Sequence, residues 1–390
     1  MKELAYVLIN PYTMSKSRTG GVISRLLSRD AHLQLLGARM FAPSKKLVDE
    51  YVAALKEKET DDKEKREVDS LIREYVIKNY MPDEIGTRKR VMFLLVEGEN
   101  VVKRLQEEVV GSIIRSSTGE TIRDTYGDYI KDDSGKVIYF EPAVLTPTSS
   151  EAAKKHIDLW LKYSVKDSGI LYDVIPYEKN ENIQNTLVMI KPDTLTGSRT
   201  RAGTVIDLFS KTGLYIISIK VIHITVAQAM EFYGPVRDVF VKKFTRKVKE
   251  QAAAALAKTF DFPIPKSALE QLAESLKEPN ADHEFGKLVQ FMTGCNPRNI
   301  PQEKWETSTN ETCLALVYQG EDAIEKIRNQ LGSTDPSQAA PATVRKEFGT
   351  DVMINTAHAS DSPENAEREI KILNIAENDL IKLVESNRNL

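Results

Sequence analysis

The sequence predicts an α+β chain of two tandem copies of one β-α-β-β-α-β unit, each with a four-stranded antiparallel sheet. Three observations predict it. Short motifs recur in order: Tyr6-Val-Leu-Ile-Asn10-Pro11 returns as Leu187-Val-Met-Ile-Lys191-Pro192, an offset of 191 − 10 = 181. The offset then changes in steps: Glu97-Gly98-Glu99-Asn100 returns as Gln319-Gly320-Glu321-Asp322 and Thr121-Ile122-Arg123 as Thr343-Val344-Arg345, both at 222, and residues 149–157 return as 362–370, at 213. Ordered matches whose spacing shifts only at insertions are the mark of a repeat. Finally, short apolar runs of strand type alternate with runs of helical spacing. The steps place 222 − 181 = 41 extra residues inside the second copy and 222 − 213 = 9 near the end of the first. A join near 166–183 divides the chain into domains at 1–170 and 183–390.

The second copy justifies each element in turn. Residues 186–190 are a short apolar run stopped by Lys191-Pro192, a central strand. Residues 202–212 carry Val205, Leu208 and Phe209 at helical spacing and close at Gly213. The β-branched run 214–222 is a strand, 227–233 a helix, 312–318 a third strand and 322–331 another helix. A short strand at 352–355 and a helix at 363–373 complete the order, which is the split β-α-β, ferredoxin-like plan. Two segments interrupt it. The mixed-charge run 56–73 reads as a solvated helix, and about 235–283 reads as two or three inserted helices, either a surface decoration or a lid or oligomer contact.

Composition narrows the function. The 390 residues are 41% hydrophobic and 28% charged, ordinary globular usage. With 54 Lys+Arg against 57 Asp+Glu the net charge is -3, so bulk charge does not recruit nucleic acid. Cys295 and Cys313 form neither a disulfide framework nor a metal-ligand pattern. No apolar run approaches the roughly 20 residues of a membrane span, and Met1-Lys2-Glu3-Leu4 does not begin an export signal. A cytoplasmic location and no membrane partner are expected.

Polar residues at strand ends carry the chemistry. Lys191 ends a buried strand. Arg328 precedes Gly332-Ser333-Thr334-Asp335-Pro336, Arg345 follows a proline-containing loop, and Asn355-Thr356-Ala357-His358 leaves the last strand. One lysine and two arginines suit a polyphosphate, because guanidinium forks grip oxygens in pairs and an ammonium acts as a point charge. Alone, each of these residues reads as an ordinary structural or surface side chain. His32, His156, His223 and His283 carry no motif signal.

Taken together, these residues resemble the nucleoside diphosphate kinase family over about residues 185–373, apart from the insert. The family's Asn-x-x-His-(Gly/Ala)-Ser-Asp pattern stands as Asn355-Thr-Ala-His358-Ala359-Ser360-Asp361, its Lys-Pro-Asp as Lys191-Pro192-Asp193, its Gly-x-Thr-x-Pro as Gly332 to Pro336, and its Thr-(Ile/Val)-Arg as Thr343-Val344-Arg345. The resemblance implies transfer of the γ-phosphate of ATP or another nucleoside triphosphate to a nucleoside diphosphate, by a ping-pong mechanism with His358 as nucleophile. It further implies Glu369 orienting His358, Ser360 beside it, and Tyr233 near the transferring group. Lys191 would serve ribose and γ-phosphate, Asn355 the ribose hydroxyl, Arg328 and Thr334 the inner phosphates and Arg345 the outer ones. Phe285, Leu288 and Val352 would face the base, although Glu284 sits where the family places an aromatic residue. Mg2+ would ride on the phosphates, with no protein ligands.

The first copy departs from this pattern. Lys191 faces Asn10, Tyr233 faces Tyr51, and Arg345 faces Arg123. Arg328 faces Gln106 or Glu107, depending on a one-residue gap, and His358 falls on Leu145, with no histidine between Arg123 and His156. A degenerate domain kept for structure is expected, with the two copies forming an internal pseudo-dimer; homo-oligomers are allowed. The rival reading is a nucleotide-binding regulatory or scaffold protein without turnover, and a weaker one is a phosphodonor to protein histidines.

Overall fold

The computed structural model describes residues 2–388 except 29–32, 57–62, 114–118, 178–181 and 197–199; His32, part of the charged run and part of the join lie outside the described residues. Among the described residues ten strands follow in order: β1 (Lys2–Ile9), β2 (Gln34–Phe41), β3 (Val91–Glu99), β4 (Asp128–Lys131), β5 (Val137–Glu141), β6 (Val144–Leu145), β7 (Ile183–Ile190), β8 (Tyr215–Ile222), β9 (Cys313–Glu321) and β10 (Ala357–Ala359). The N-terminal sheet has order β2-β3-β1-β6 and the C-terminal sheet β10-β7-β9-β8. Read from its last strand, each runs fourth, first, third, second, which is the ferredoxin-like arrangement. The pairings of β1 with β3 and β6, of β2 with β3, and of β7 with β9 and β10 are antiparallel. β4 and β5 form a separate hairpin, which occupies the region of the nine extra residues.

The chain clusters into two compact units, residues 1–221 with 314–390, and residues 222–313. In the first, apolar strands pack under helices. Tyr6, Phe41, Tyr51, Phe93 and Trp160 form an aromatic core, with Trp160 edge-on to Phe41 at 4.9 Å. The C-terminal helix Leu380–Arg388 adds Leu380 and Val384 to that same core. Basic side chains on β2 and β8 hold the segment before it. Arg39 donates to the Glu377 and Ala376 carbonyls at 2.8 and 3.1 Å, and Lys220 to those of Asn374 and Glu377 at 2.8 and 3.2 Å. The offset between the two is again 220 − 39 = 181.

Two helices of this unit, Thr19–Ser28 and Thr200–Ser210, pack with almost no separation. A Cβ on Gly20 would lie 2.4 Å from the Asp207 nitrogen and the Gly203 oxygen, and one on Gly203 2.3 Å from the Ser24 nitrogen. Only glycine lets two backbones approach so closely.

The second unit holds two helices, within the two or three expected, and corrects the end placed at 233. Val226–Leu256 is one helix of 31 residues that continues through Pro235, and Lys266–Thr293 is one of 28 residues containing Pro279. The helix expected at 227–233 runs on through Gly234-Pro235, although proline lacks the N–H of a helix interior. The strong start at Thr225, whose hydroxyl accepts from Gln228 N at 3.2 Å while Gln228 Oε1 accepts from Thr225 N at 3.1 Å, favours continuation. Arg237 ties the two helices by donating to Asp282 and Glu278 at 2.6 and 2.7 Å.

Candidate active site

The last strand is β10, not the expected 352–355. Asp351 explains the difference: its carboxylate accepts from the backbone N–H groups of Met353 and Ile354 at 2.7 and 2.8 Å, so those groups serve a turn. Val352 is therefore 52% exposed in a loop. β10 then pairs with β7 so that His358 lies opposite Met189.

Around His358 the side chains form a connected chain. His358 Nε2 lies 2.9 Å from Glu369 Oε2, and the Ser360 hydroxyl donates to the same oxygen at 2.6 Å. Glu369 and Ser360 are buried, and His358 keeps 22% of its side chain exposed. An ionised carboxylate only accepts, so Nε2 is assigned the proton and the neutral ring carries its lone pair on Nδ1. One residue before His358, the Ala357 carbonyl accepts from Arg345 Nη2 at 3.0 Å, while Arg345 Nη1 donates to the Gly332 carbonyl at 3.1 Å and lies 3.5 Å from the Thr334 hydroxyl. Asn355 joins that loop to Lys191. Its Nδ2 donates to the Thr334 and Val352 carbonyls at 3.1 and 2.9 Å, and its Oδ1 accepts from Lys191 Nζ at 2.7 Å. Lys191 also reaches the Met353 carbonyl at 3.2 Å.

Of the residues picked from sequence, Lys191, Thr334, Arg345, Asn355, His358, Ser360 and Glu369 thus share one network. Arg328 lies in the last turn of the helix Ala323–Leu331 with its side chain exposed, and its carbonyl accepts from Gly332 N at 3.0 Å. Tyr233, Phe285 and Leu288 are buried residues of the helical unit, and Val352 lies in the loop described above.

Sequence reading quoted Asp193 and Thr356 within motifs but gave neither a role. Thr356 has φ +77°, a left-handed conformation that a β-branched residue rarely adopts. Its N–H donates to Asp193 Oδ2 at 3.2 Å, and its carbonyl accepts from Lys191 N at 2.9 Å and the Thr194 hydroxyl at 3.2 Å. Burial pushes the Asp193 carboxyl pKa up, against the pull of the Lys191 charge and the Thr356 N–H. The early signal for Asp193 was its place in the Lys191-Pro192-Asp193 motif.

The N-terminal half shows what occupies the matching positions. Leu145 lies opposite Leu8, and 189 − 8 = 181, so Leu145 holds the register position of His358. Arg123 donates to the Gly111 and Val144 carbonyls at 2.8 and 3.2 Å, the same bridge that Arg345 makes. A π-helical turn at Leu105–Val109 supplies the one-residue gap, since 322 − 100 = 222 before it and 332 − 111 = 221 after it. The turn spans both Gln106 and Glu107, so neither is singled out as the partner of Arg328.

Where Lys191 stands in the other half, Asn10 is enclosed. Its Oδ1 accepts from the Tyr80 hydroxyl at 2.6 Å and its Nδ2 donates to Glu141 Oε1 at 3.3 Å, while Tyr75 donates to both Glu141 oxygens at 2.8 and 2.7 Å. Tyr75 and Tyr80 come from the helix Lys63–Tyr80. Burial raises the Glu141 pKa, more than its hydrogen bonds lower it. A carboxyl whose folded pKa exceeds its unfolded value near 4.5 favours the folded state below that pH and loses this contribution as pH rises through the folded pKa. Glu141→Gln is therefore expected to gain stability relative to wild type between pH 4 and pH 7, read as the difference in Tm at the two pH values.

Residues 184–257 and 269–378 match the profile of the family described as nucleoside diphosphate kinase. The nucleoside diphosphate kinase of Jannaschia sp. (strain CCS1) is 30% identical over 188 residues, 48% of this chain and 91% of the relative. That of Cereibacter sphaeroides (strain KD131) is 31% identical over 188 residues, with the same shares, 48% and 91%. A crystal structure of the Aquifex aeolicus nucleoside diphosphate kinase aligns with 27% identity, 49% of this chain, 94% of that chain and a TM-score of 0.31. Relatives at this identity, matched over nine-tenths of their own length by the half that holds His358, leave one assignment: the chain belongs to the nucleoside diphosphate kinase family.

Proposed function

We propose that the chain is a cytoplasmic nucleoside diphosphate kinase in which one His358-centred site turns over and the N-terminal half does not. The observation that carries this reading is the His358–Glu369 hydrogen bond at 2.9 Å, which directs the ring's lone pair to Nδ1. In the proposed reaction Nδ1 attacks the γ-phosphorus in line, the bond to the bridging β-phosphate oxygen breaks, and the nucleoside diphosphate leaves. No proton is lost. The phosphorylated ring is an imidazolium that keeps its Nε2 proton, and the Glu369 carboxylate stabilises that charge, as a carboxylate does for the imidazolium of a serine protease. A second nucleoside diphosphate reverses the steps, and because both are nucleotides the two halves are nearly isoenergetic.

Lys191 and Arg345 supply positive charge for the phosphates, and Arg328 supplies an exposed guanidinium near the Thr334 loop. Both Asn355 N–H groups already hold backbone carbonyls, so its contact with a ribose hydroxyl would use the second lone pair of Oδ1. Magnesium would enter with the nucleotide as part of the substrate. Tyr233, Phe285, Leu288 and Val352 remain assigned by resemblance to the transferring group and the base.

Leu145 in the register of His358, Asn10 in place of Lys191, and the Tyr75 and Tyr80 hydroxyls on Glu141 and Asn10 support a closed, inactive N-terminal half. The close helix pair at Gly20 and Gly203 supports tandem domains joined as an internal pseudo-dimer. Two measurements test the proposal together. Initial rates with varied ATP and dTDP should give parallel double-reciprocal lines, and calorimetry with ADP should give one site per chain. Binding without transfer would favour a regulatory protein, and two sites per chain would refute the closed N-terminal half.

A further inference from the structure

We infer that Asp193 is a positioning residue for the transfer reaction, holding the left-handed turn at Thr356 so that Asn355 reaches Lys191 and His358 reaches Glu369. The inference rests on the proposed phosphohistidine reading for its chemistry, but the turn itself is a matter of geometry. Thr356 stands between the two functional residues and takes φ +77°. A threonine does not hold that conformation unaided; the surroundings must over-determine it. Its carbonyl has two donors, Lys191 N and the Thr194 hydroxyl, and its N–H has one acceptor, Asp193 Oδ2 at 3.2 Å.

The N-terminal half repeats the turn with one part moved. Ala143 has φ +58°, and its carbonyl accepts from Asn10 N at 3.3 Å and the Thr13 hydroxyl at 2.7 Å. The position of Asp193 is there Tyr12, since 193 − 181 = 12. The Ala143 N–H nevertheless meets a carboxylate, Glu141 Oε1 at 3.0 Å. The same backbone group is thus met by a partly buried acid drawn from two different places in the chain. Burying a carboxylate is costly unless it is paired, and here the recurring partner is this N–H. The requirement belongs to the turn, and in the C-terminal half Asp193 meets it.

The test uses the full chain with Asp193→Ala, Asp193→Asn and Thr356→Gly. Asparagine keeps an oxygen for the Thr356 N–H, and glycine takes a positive φ without help. Expected results are a fall in kcat of at least about tenfold for Asp193→Ala, near wild-type kcat for Asp193→Asn, and partial recovery when Thr356→Gly is added to Asp193→Ala. Amide exchange across 353–360 should accelerate in Asp193→Ala and not in Asp193→Asn, at unchanged global Tm. Equal damage from Asp193→Asn and Asp193→Ala, or wild-type kcat and exchange in Asp193→Ala, would overturn the inference. A wild-type chain without phosphotransfer would refute the proposed function instead, and the exchange data would still decide the role of Asp193 in the turn.

Discussion

His358→Ala is expected to lower phosphotransfer by at least about 10⁴-fold while ADP affinity stays within about threefold of wild type. That rate loss corresponds to about 5.5 kcal/mol of transition-state stabilisation. The split between rate and binding follows from where the contacts lie. Nucleotide phosphates would be held by Lys191, Arg328, Arg345 and Thr334, and Arg345 also donates to the Ala357 carbonyl beside His358. Removing the imidazole takes away the nucleophile and leaves the cations. Steady-state rates and calorimetry on the same preparation check it. A variant that retains more than a few per cent of wild-type transfer would move the nucleophile elsewhere.

Gly203→Ala is expected to destabilise the chain by at least about 2 kcal/mol, although helix propensity alone predicts a gain of about 1 kcal/mol. The sign is what makes the variant informative. Gly203 lies within the helix Thr200–Ser210, where alanine is intrinsically better. The added Cβ would meet the Ser24 nitrogen at 2.3 Å and the Gly20 oxygen at 2.4 Å. Both are backbone atoms that cannot rotate away, so the two helices must separate. Gly20→Ala should act alike, because its Cβ meets the Asp207 nitrogen at 2.4 Å. Denaturant melts of the intact chain measure both. Wild-type stability in either variant would remove the close helix pair as the proposed joint between the halves.

Much of the fold is legible because strand-forming runs and helical spacing depend on local sequence. The strands around 186–190, 214–222 and 312–318 emerge as β7, β8 and β9 with ends shifted by at most three residues. Residues 352–355 mislead because Val352, Met353 and Ile354 have strand composition, yet the Asp351 carboxylate takes two of their N–H groups. Pro235 misleads in the opposite direction: one missing hydrogen bond does not end a helix that is well capped and paired further on. The π turn at Leu105–Val109 appears in sequence only as a one-residue gap, since its geometry has no composition of its own.

In the site, His358, Glu369 and Lys191 are legible because their spacing is characteristic in combination. The roles of Asp193 and Thr356 are not, although both stand inside quoted motifs, since backbone conformation, not side-chain type, makes them matter. Gly20 and Gly203 escape for a related reason. A glycine inside a helix is uninformative until the chain facing it is known, and that chain lies 203 − 20 = 183 residues away.

The most direct measurement is phosphoenzyme trapping: the intact chain is mixed with γ-³²P-labelled ATP, quenched, split between acid and base, and the labelled peptide is mapped. The proposed relay predicts one base-stable, acid-labile label per chain on the peptide bearing His358, absent in His358→Ala and discharged by added nucleoside diphosphate. Label on any other residue, label that persists in His358→Ala, or transfer that proceeds with no labelled intermediate would contradict it.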